Sequence, residues 1–81
     1  MILLDVVIPA LSLSVDIRTK DSGKIRVLIK EITELVRQRI GENAEESDEF
    51  ILYSPSQRRV LPEEMSIKEC GLMTGSRVML L

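Results

Sequence analysis

One stretch of this sequence constrains the fold more than any other: residues 24–40, KIRVLIKEITELVRQRI. Its apolar residues recur at three- and four-residue spacings, so they share one face of a helix with 3.6 residues per turn. They are Ile25, Leu28, Ile29, Ile32, Leu35, Val36 and Ile40. Charged residues fill the opposite face. Because no other segment has both the length and the period of a helix, the pattern predicts one amphipathic helix that covers a sheet.

The segments on both sides of this helix have the patterns of strands. Residues 1–8 are nearly all aliphatic, and residues 12–18 alternate between apolar and polar side chains. Pro9 and Ala10 predict a turn between them, and therefore an antiparallel hairpin. Shorter strands are predicted at residues 50–53, 60–61 and 77–81. This order predicts a single α+β domain over residues 1–81, with the helix packed across one face of a mixed sheet.

The ends of the helix are marked unequally. Ser22 or Asp21 is expected to cap the exposed amides at its start, although no Glu or Gln completes a reciprocal capping box. Gly41 is expected to end the helix in the left-handed conformation. Residues 42–49, ENAEESDE, are acidic without an apolar period and are predicted to form a solvated loop. The functional alternative for this loop is a docking surface for a basic partner.

Composition and charge exclude several classes of function. The chain has 13 acidic and 11 basic residues, no histidine, no tryptophan and only two aromatic residues, which argues against nucleic-acid binding. Its apolar runs are far shorter than the ~20 residues of a membrane-spanning helix, so we predict no membrane insertion. The N-terminus has no secretory signal pattern, and a single cysteine forms no internal disulfide. These features predict a cytoplasmic protein.

Few residues offer chemistry. Cys70 is the one nucleophile to consider, and without a histidine nothing pairs with it to lower its pKa, so we predict a buried structural thiol. Glu31 and Glu34 lie on the solvent-exposed face of the predicted helix. No apolar pocket is evident there that would shift the pKa of either carboxyl for acid–base catalysis. A metal site needs several converging ligands. We therefore predict no enzymatic activity, no metal and no cofactor.

The face of the sheet that points away from the helix is the candidate binding site. If Asp5 faces water, Leu3 and Val7 share its side of the first strand. In the next strand we expect Phe50 and Leu52 to face the core and Ile51 and Tyr53 to face outward, because a buried tyrosine hydroxyl needs a partner. The predicted partner-binding residues are Leu3, Val7, Ile51, Met79 and Leu81.

A contiguous apolar patch on a small domain marks a site for a partner. The predicted occupant is another protein or a second copy of this chain, which would make a homodimer. The alternative is that one or two of these side chains lie under loops and the rest are scattered.

The order of elements, together with SIKECGLMTGSRVMLL near the C-terminus, resembles the ubiquitin-like β-grasp fold. The residues that carry this resemblance are Ser66, Ile67, Cys70, Leu72, Val78 and Leu80. Within that superfamily, Cys70-Gly71-Leu72 followed by residues 74–77, TGSR, is most similar to the YukD/EsaB-like proteins. These are small bacterial proteins associated with type VII secretion of WXG100 substrates. The resemblance implies a non-catalytic binding module, an accessory or regulatory component of a secretion system.

Two other functions remain open. Ubiquitin-like protein modifiers and sulfur carriers end in a flexible tail with a terminal Gly-Gly, whereas this sequence ends at Leu81 without one. That departure disfavours the modifier and carrier functions. The third possibility is a ubiquitin-like domain cut from a larger protein, such as the cytosolic portion of a membrane protein.

Overall fold

The helix and all the strands that the sequence predicts are present in the structure. The computed structural model describes residues 1–40 and 50–81. Its elements are β1 (Ile2–Ile8), β2 (Leu13–Thr19), α1 (Ile25–Ile40), β3 (Leu52–Ser54), β4 (Arg59–Val60) and β5 (Arg77–Leu80), with a short 3₁₀ turn at Pro9–Leu11 between β1 and β2. The predicted end of the helix at Gly41 and the acidic loop at 42–49 lie outside the described residues.

The strands form one mixed sheet in the order β2-β1-β5-β3-β4. The β1–β2 hairpin is antiparallel, and β3 pairs antiparallel with both β4 and β5. In the centre, β1 and β5 run parallel, with Val6 beside Val78. The first and last strands of the chain are therefore neighbours, and the hairpin is joined to the C-terminal strands through them.

Alternation along the strands divides the sheet into two faces, as predicted. On β1, Leu4, Val6 and Ile8 are buried, while the side chains between them are not. Val78 and Leu80 continue the buried face on β5. On β3 the buried residue is Leu52, and Phe50 just before it is partly buried against the core, so the predicted facing of this strand is confirmed.

The apolar stripe of α1 is only partly committed to the core. Ile25, Leu28, Ile29 and Ile32 are buried, but Leu35 is 36% exposed. The expectation that Leu35 is buried was wrong because it lies at the border of the stripe, roughly 70° from its centre at 3.6 residues per turn. Val36 packs against the core and is partly buried.

The start of α1 is capped by a distant segment instead of by Ser22 or Asp21. The amides of Ile25 and Arg26 donate to the carbonyl oxygens of Met65 and Glu63, at 2.9 and 3.0 Å. The expected side-chain cap is replaced because residues 63–65 bring carbonyls to the helix terminus, where orphan amides need acceptors.

The segment after residue 65 carries a cap that the sequence did signal. The Ser66 amide donates to the Glu69 carboxylate at 2.9 Å, and the Glu69 amide donates to the Ser66 hydroxyl at 3.0 Å. This is a reciprocal capping box, and its S-x-x-E spacing is visible in the sequence. It holds a turn from which Ile67, Cys70 and Leu72 enter the core.

Ile32 and Leu35 have side chains of equal size, so replacing each with alanine tests how far the core extends across the face of α1. Ile32→Ala is expected to lower the free energy of unfolding by about 2–5 kcal/mol, because it leaves a cavity under a fully buried side chain. Leu35→Ala should cost about 1 kcal/mol or less, since this position is at the edge of the core. Urea unfolding monitored by circular dichroism measures both. Equal losses in the two variants would contradict this assignment of the core.

Candidate functional site: the outer face of the sheet

The register of the five strands brings side chains from all of them into one row on the face opposite α1. Val7 lies beside Met79, Met79 beside Tyr53, and Tyr53 beside Val60. Ser14 on β2 completes the row next to Val7. Directly paired residues in a sheet project on the same face with side chains in contact distance. The row is therefore apolar over four strands and polar only at β2.

A second apolar pair adjoins this row. Ile51 and Leu81 exchange two backbone hydrogen bonds of 3.0 and 3.1 Å. Ile51 lies two positions before Tyr53, and Leu81 lies two positions after Met79. Their side chains therefore point to the same outer face. We call the combined surface the outer patch, and it consists of Val7, Ile51, Tyr53, Val60, Met79 and Leu81.

The outer patch is accessible but partly supported by its own neighbours. Ile51, Val60 and Leu81 are 39%, 48% and 49% exposed. Val7, Tyr53 and Met79, which form the middle of the patch, are half-buried. Half-buried residues in the centre and exposed residues at the border make a continuous apolar surface. Large contiguous apolar surfaces are uncommon on soluble domains without a partner.

The structure brings together four of the five predicted site residues. Val7, Ile51, Met79 and Leu81 belong to the outer patch, but Leu3 does not. Leu3 is exposed on the same face, two positions along β1 beyond Asp5. Its amide donates to the Thr74 hydroxyl at 3.3 Å, before β5 begins. Leu3 is therefore separated from the outer patch by a polar residue.

That polar border is an ordered network around Asp5. One carboxylate oxygen accepts a hydrogen bond from Arg77 Nε at 2.8 Å, and the other accepts one from the Ser14 hydroxyl at 3.0 Å. The hydrogen bond from Arg77, followed by that from Ser14, holds the pKa of Asp5 below its ordinary value. The network joins β2, β1 and β5 and ends the outer patch on one side.

Two members of the outer patch were not among the predicted site residues. Tyr53 was expected to face outward, and Val60 was recognised as part of a short edge strand. What places them in the patch is the pairing of Tyr53 with both Met79 and Val60, which depends on strand order. A sequence signal existed for Tyr53 in its outward parity. No sequence signal indicated that Tyr53 would pair with Met79 and Val60.

The rest of the described surface offers little for catalysis. Cys70 is buried, and burial raises the pKa of its thiol, which keeps it protonated at neutral pH. Among residues 1–40 and 50–81, no three His, Cys, Asp or Glu side chains converge on a point that would hold a metal ion. Glu31 and Glu34 are exposed on α1.

Two open grooves flank α1, on the other side of the sheet from the outer patch. One has a volume of about 680 Å³ and is lined by Arg26, Lys30, Arg37, Phe50 and Glu63, among others. The other, of about 430 Å³, lies between the end of β2 and the first turns of α1. Both mix charges of either sign with aliphatic side chains. None of the helices in the described part of the chain is long and apolar enough to span a membrane.

The predicted fold is confirmed by comparison with solved structures. The chain is similar to the ubiquitin-like domain of EccD5 from Mycobacterium xenopi, with 16% identity over 99% of this chain and 91% of that one, and a TM-score of 0.78. The ubiquitin-like domain of Plasmodium falciparum Dsk2 gives 15% identity, coverage of 98% and 93%, and a TM-score of 0.73. A ubiquitin-like domain from Arabidopsis thaliana gives 17% identity, coverage of 99% and 74%, and a TM-score of 0.74.

No protein-family model matches the chain, and no curated protein matches it by sequence. The structural similarities establish a ubiquitin-like β-grasp fold, in which one helix packs on a mixed five-stranded sheet.

The network around Asp5 predicts a pH dependence of stability. Because the pKa of Asp5 is lower in the folded protein, its interactions stabilise the fold above the unfolded pKa of about 3.9 and are lost as the pH falls through the folded value. Asp5→Asn should therefore be less stable than the wild type at pH 7, and the difference should shrink as the pH falls below the unfolded pKa of Asp5. Urea unfolding at several pH values measures this.

Asp16 provides the matched control, since it lies opposite Asp5 on β2. Replacing Asp16 with Asn removes a like charge beside Asp5, so it should not lower the stability of the monomer at pH 7. A stability difference between the Asp5→Asn variant and the wild type that stays constant down to the acid limit would contradict the proposed role of the carboxylate.

Proposed function

We infer that this protein is a non-catalytic ubiquitin-like binding module that docks another protein on its outer patch. The observation that carries this inference is the contiguity of the six apolar side chains across β1, β5, β3 and β4. Burying aliphatic and aromatic surface of this kind contributes about 25 cal/mol per Å² of apolar area. The cost of leaving it in water is a reason for a partner to cover it.

The shape of the outer patch favours an apolar partner surface with a polar border. Tyr53, in the middle, adds a hydroxyl to a large apolar ring, which is the type of side chain enriched at the centre of protein interfaces. On one side, Arg77 and Asp5 satisfy each other at 2.8 Å and leave little net charge there. A partner docking on the patch is therefore recognised mainly by its apolar residues.

The inferred setting of this module is a bacterial type VII secretion system, in which the protein acts in the cytoplasm as an accessory or regulatory component. This part of the proposal is supported by the resemblance of Cys70-Gly71-Leu72 and residues 74–77 to YukD/EsaB-like proteins. The similarity to the EccD5 ubiquitin-like domain is in keeping with it. Gly71 and Gly75 have φ angles of +78° and +94°, so both glycines also serve the turns that precede β5.

Charge on the outer patch should abolish function while leaving the fold intact. In a bacterium that carries this chain and a type VII system, Val7→Asp combined with Met79→Asp is expected to reduce WXG100 protein in the culture supernatant to the level of a deletion strain. The half-buried positions border solvent, so the domain should still fold. Quantitative immunoblotting measures the amount of WXG100 protein in the supernatant and the amount of the variant chain that accumulates in the cells.

Val27→Asp is the matched control, because Val27 is 44% exposed on α1, on the opposite side of the sheet. It should secrete like the wild type. Normal secretion in the deletion strain would contradict the secretion role, and normal secretion in the double variant alone would contradict the role of the outer patch.

A photocrosslinking side chain placed at position 79 or 27 gives a direct test of binding. We expect a crosslinked protein adduct from position 79 in living cells and none from position 27. Intact mass of the purified cellular protein should show one unmodified species. A ladder of larger covalent adducts formed without crosslinking would instead support a modifier function.

A further inference from the structure

A second surface of this chain is independent of the outer patch: the free edge of β2. The sheet order leaves β2 and β4 at its two edges, and β4 has only two residues, whereas β2 has seven. A long unpaired edge presents a row of backbone donors and acceptors that another strand is able to use. β2 contains no proline, which would block such pairing.

The hydrogen bonds of β1 show which groups of β2 point outward. The Asp5 amide donates to the Ser76 carbonyl at 3.0 Å, and the Leu3 carbonyl accepts from the Gly75 amide at 2.9 Å. Both residues thus direct their backbone groups toward β5 and away from β2. Asp16 and Arg18, which lie opposite them, are therefore in non-hydrogen-bonded pairs. Their N–H and C=O groups point to the free edge, and the alternation adds Ser14.

The side chains at this edge carry opposite charges. Asp16 and Arg18 are exposed, two positions apart on the outer face of β2. Within residues 1–40 and 50–81, neither has an ion-pair partner. Asp16 instead lies opposite another carboxylate, that of Asp5 on the neighbouring strand β1. Two opposite charges at this spacing become complementary to themselves when a second copy of the strand runs antiparallel.

We propose that two copies of this chain pair through their β2 edges, antiparallel, about a two-fold axis at Ile17. This register sets Asp16 of each copy directly opposite Arg18 of the other, in hydrogen-bonded pairs. An axis at Asp16 or at Arg18 would set like charges against each other, which is destabilising. An axis at Val15 would leave Arg18 opposite Ser12.

The inner face of this junction is also compatible with the pairing. Ile17 meets Ile17 of the second copy on the axis, and Val15 lies opposite Thr19 of the second copy. Thr19 lines the groove of about 430 Å³ together with Val27 and Leu28 of α1. Val15 is half-buried in one copy alone, so its exposed portion would be covered by the second copy at Thr19. The junction thus has apolar contact on one face and ion pairs on the other.

The resulting dimer has one continuous sheet of ten strands, with both helices on one face. Both outer patches lie on the other face and remain uncovered. A partner with two binding sites would then be held through two patches at once, which raises its apparent affinity without new contacts. The dimer does not depend on the function proposed for the outer patch.

Charge reversal tests the register. Sedimentation velocity over a concentration series is expected to show a monomer–dimer equilibrium for the wild type. Asp16→Arg alone and Arg18→Asp alone each place like charges at both ion pairs, and each should weaken the dimer by about tenfold or more. An equimolar mixture of these two variants restores opposite charges at both pairs and should form a heterodimer. The double variant, with both reversals in one chain, should dimerise like the wild type.

Backbone amides give an independent readout. In NMR spectra the amides of Asp16 and Arg18 should become protected from exchange as concentration rises. Val7→Asp is the control and should leave the dimer unchanged. A monomer at every concentration would overturn the proposal, as would single reversals that leave the dimer intact. A dimer that is lost in Val7→Asp but kept in both reversals would place the contact on the outer patch instead.

Discussion

The parallel pairing of β1 with β5 is the interaction on which the rest of the structure depends. It joins the first strand of the chain to the last, and it is the only link in the described sheet between the β1–β2 hairpin and the β3–β4 pair. Val6 and Val78 sit side by side in this pairing, and both are fully buried. Without this pairing the sheet would be split into two parts, and the helix would have no single continuous face to pack against. Contacts so distant in sequence carry a large closure cost, which the buried aliphatic residues offset.

The same pairing creates the surface that we assign to binding. On the outer face it places Val7 beside Met79, and two residues earlier on each strand it places Asp5 beside Arg77. The first pair forms the centre of the outer patch and the second forms its border. An apolar pair and an ion pair side by side give the surface a defined limit. A surface limited in this way restricts how a partner is positioned, which scattered apolar residues would not do.

The helix supports the outer patch by packing against the opposite face of the sheet. Its buried residues pack against the inner face of the sheet, so the strands that carry the outer patch are supported from their opposite side. At its start, the carbonyls of Met65 and Glu63 accept hydrogen bonds from its first amides and tie the segment before Ser66 to the helix. The turns that contain Gly71 and Gly75 come later in the chain, after the turn held by Ser66 and Glu69.

Much of this protein was determined by its sequence alone. The 3.6-residue period specified α1, the two-residue period specified β2, and Asp5 specified which side of β1 faces water. These properties are local, because side-chain direction follows from the backbone geometry of one element. From them came one helix packed on a mixed sheet and four of the six residues of the outer patch, while the ubiquitin-like fold was expected from the resemblance of the element order and residues 66–81.

Apart from the β1–β2 hairpin, which the sequence predicted, only the tertiary structure decided which strands are neighbours. Strand order put Tyr53 and Val60 next to Met79, separated Leu3 from the patch and left β2 at an edge. The cap of α1 came from Met65 and Glu63, some forty residues along the chain. None of these contacts has a sequence signature, since a periodic pattern shows which way a side chain faces and carries no information about which strand pairs with which.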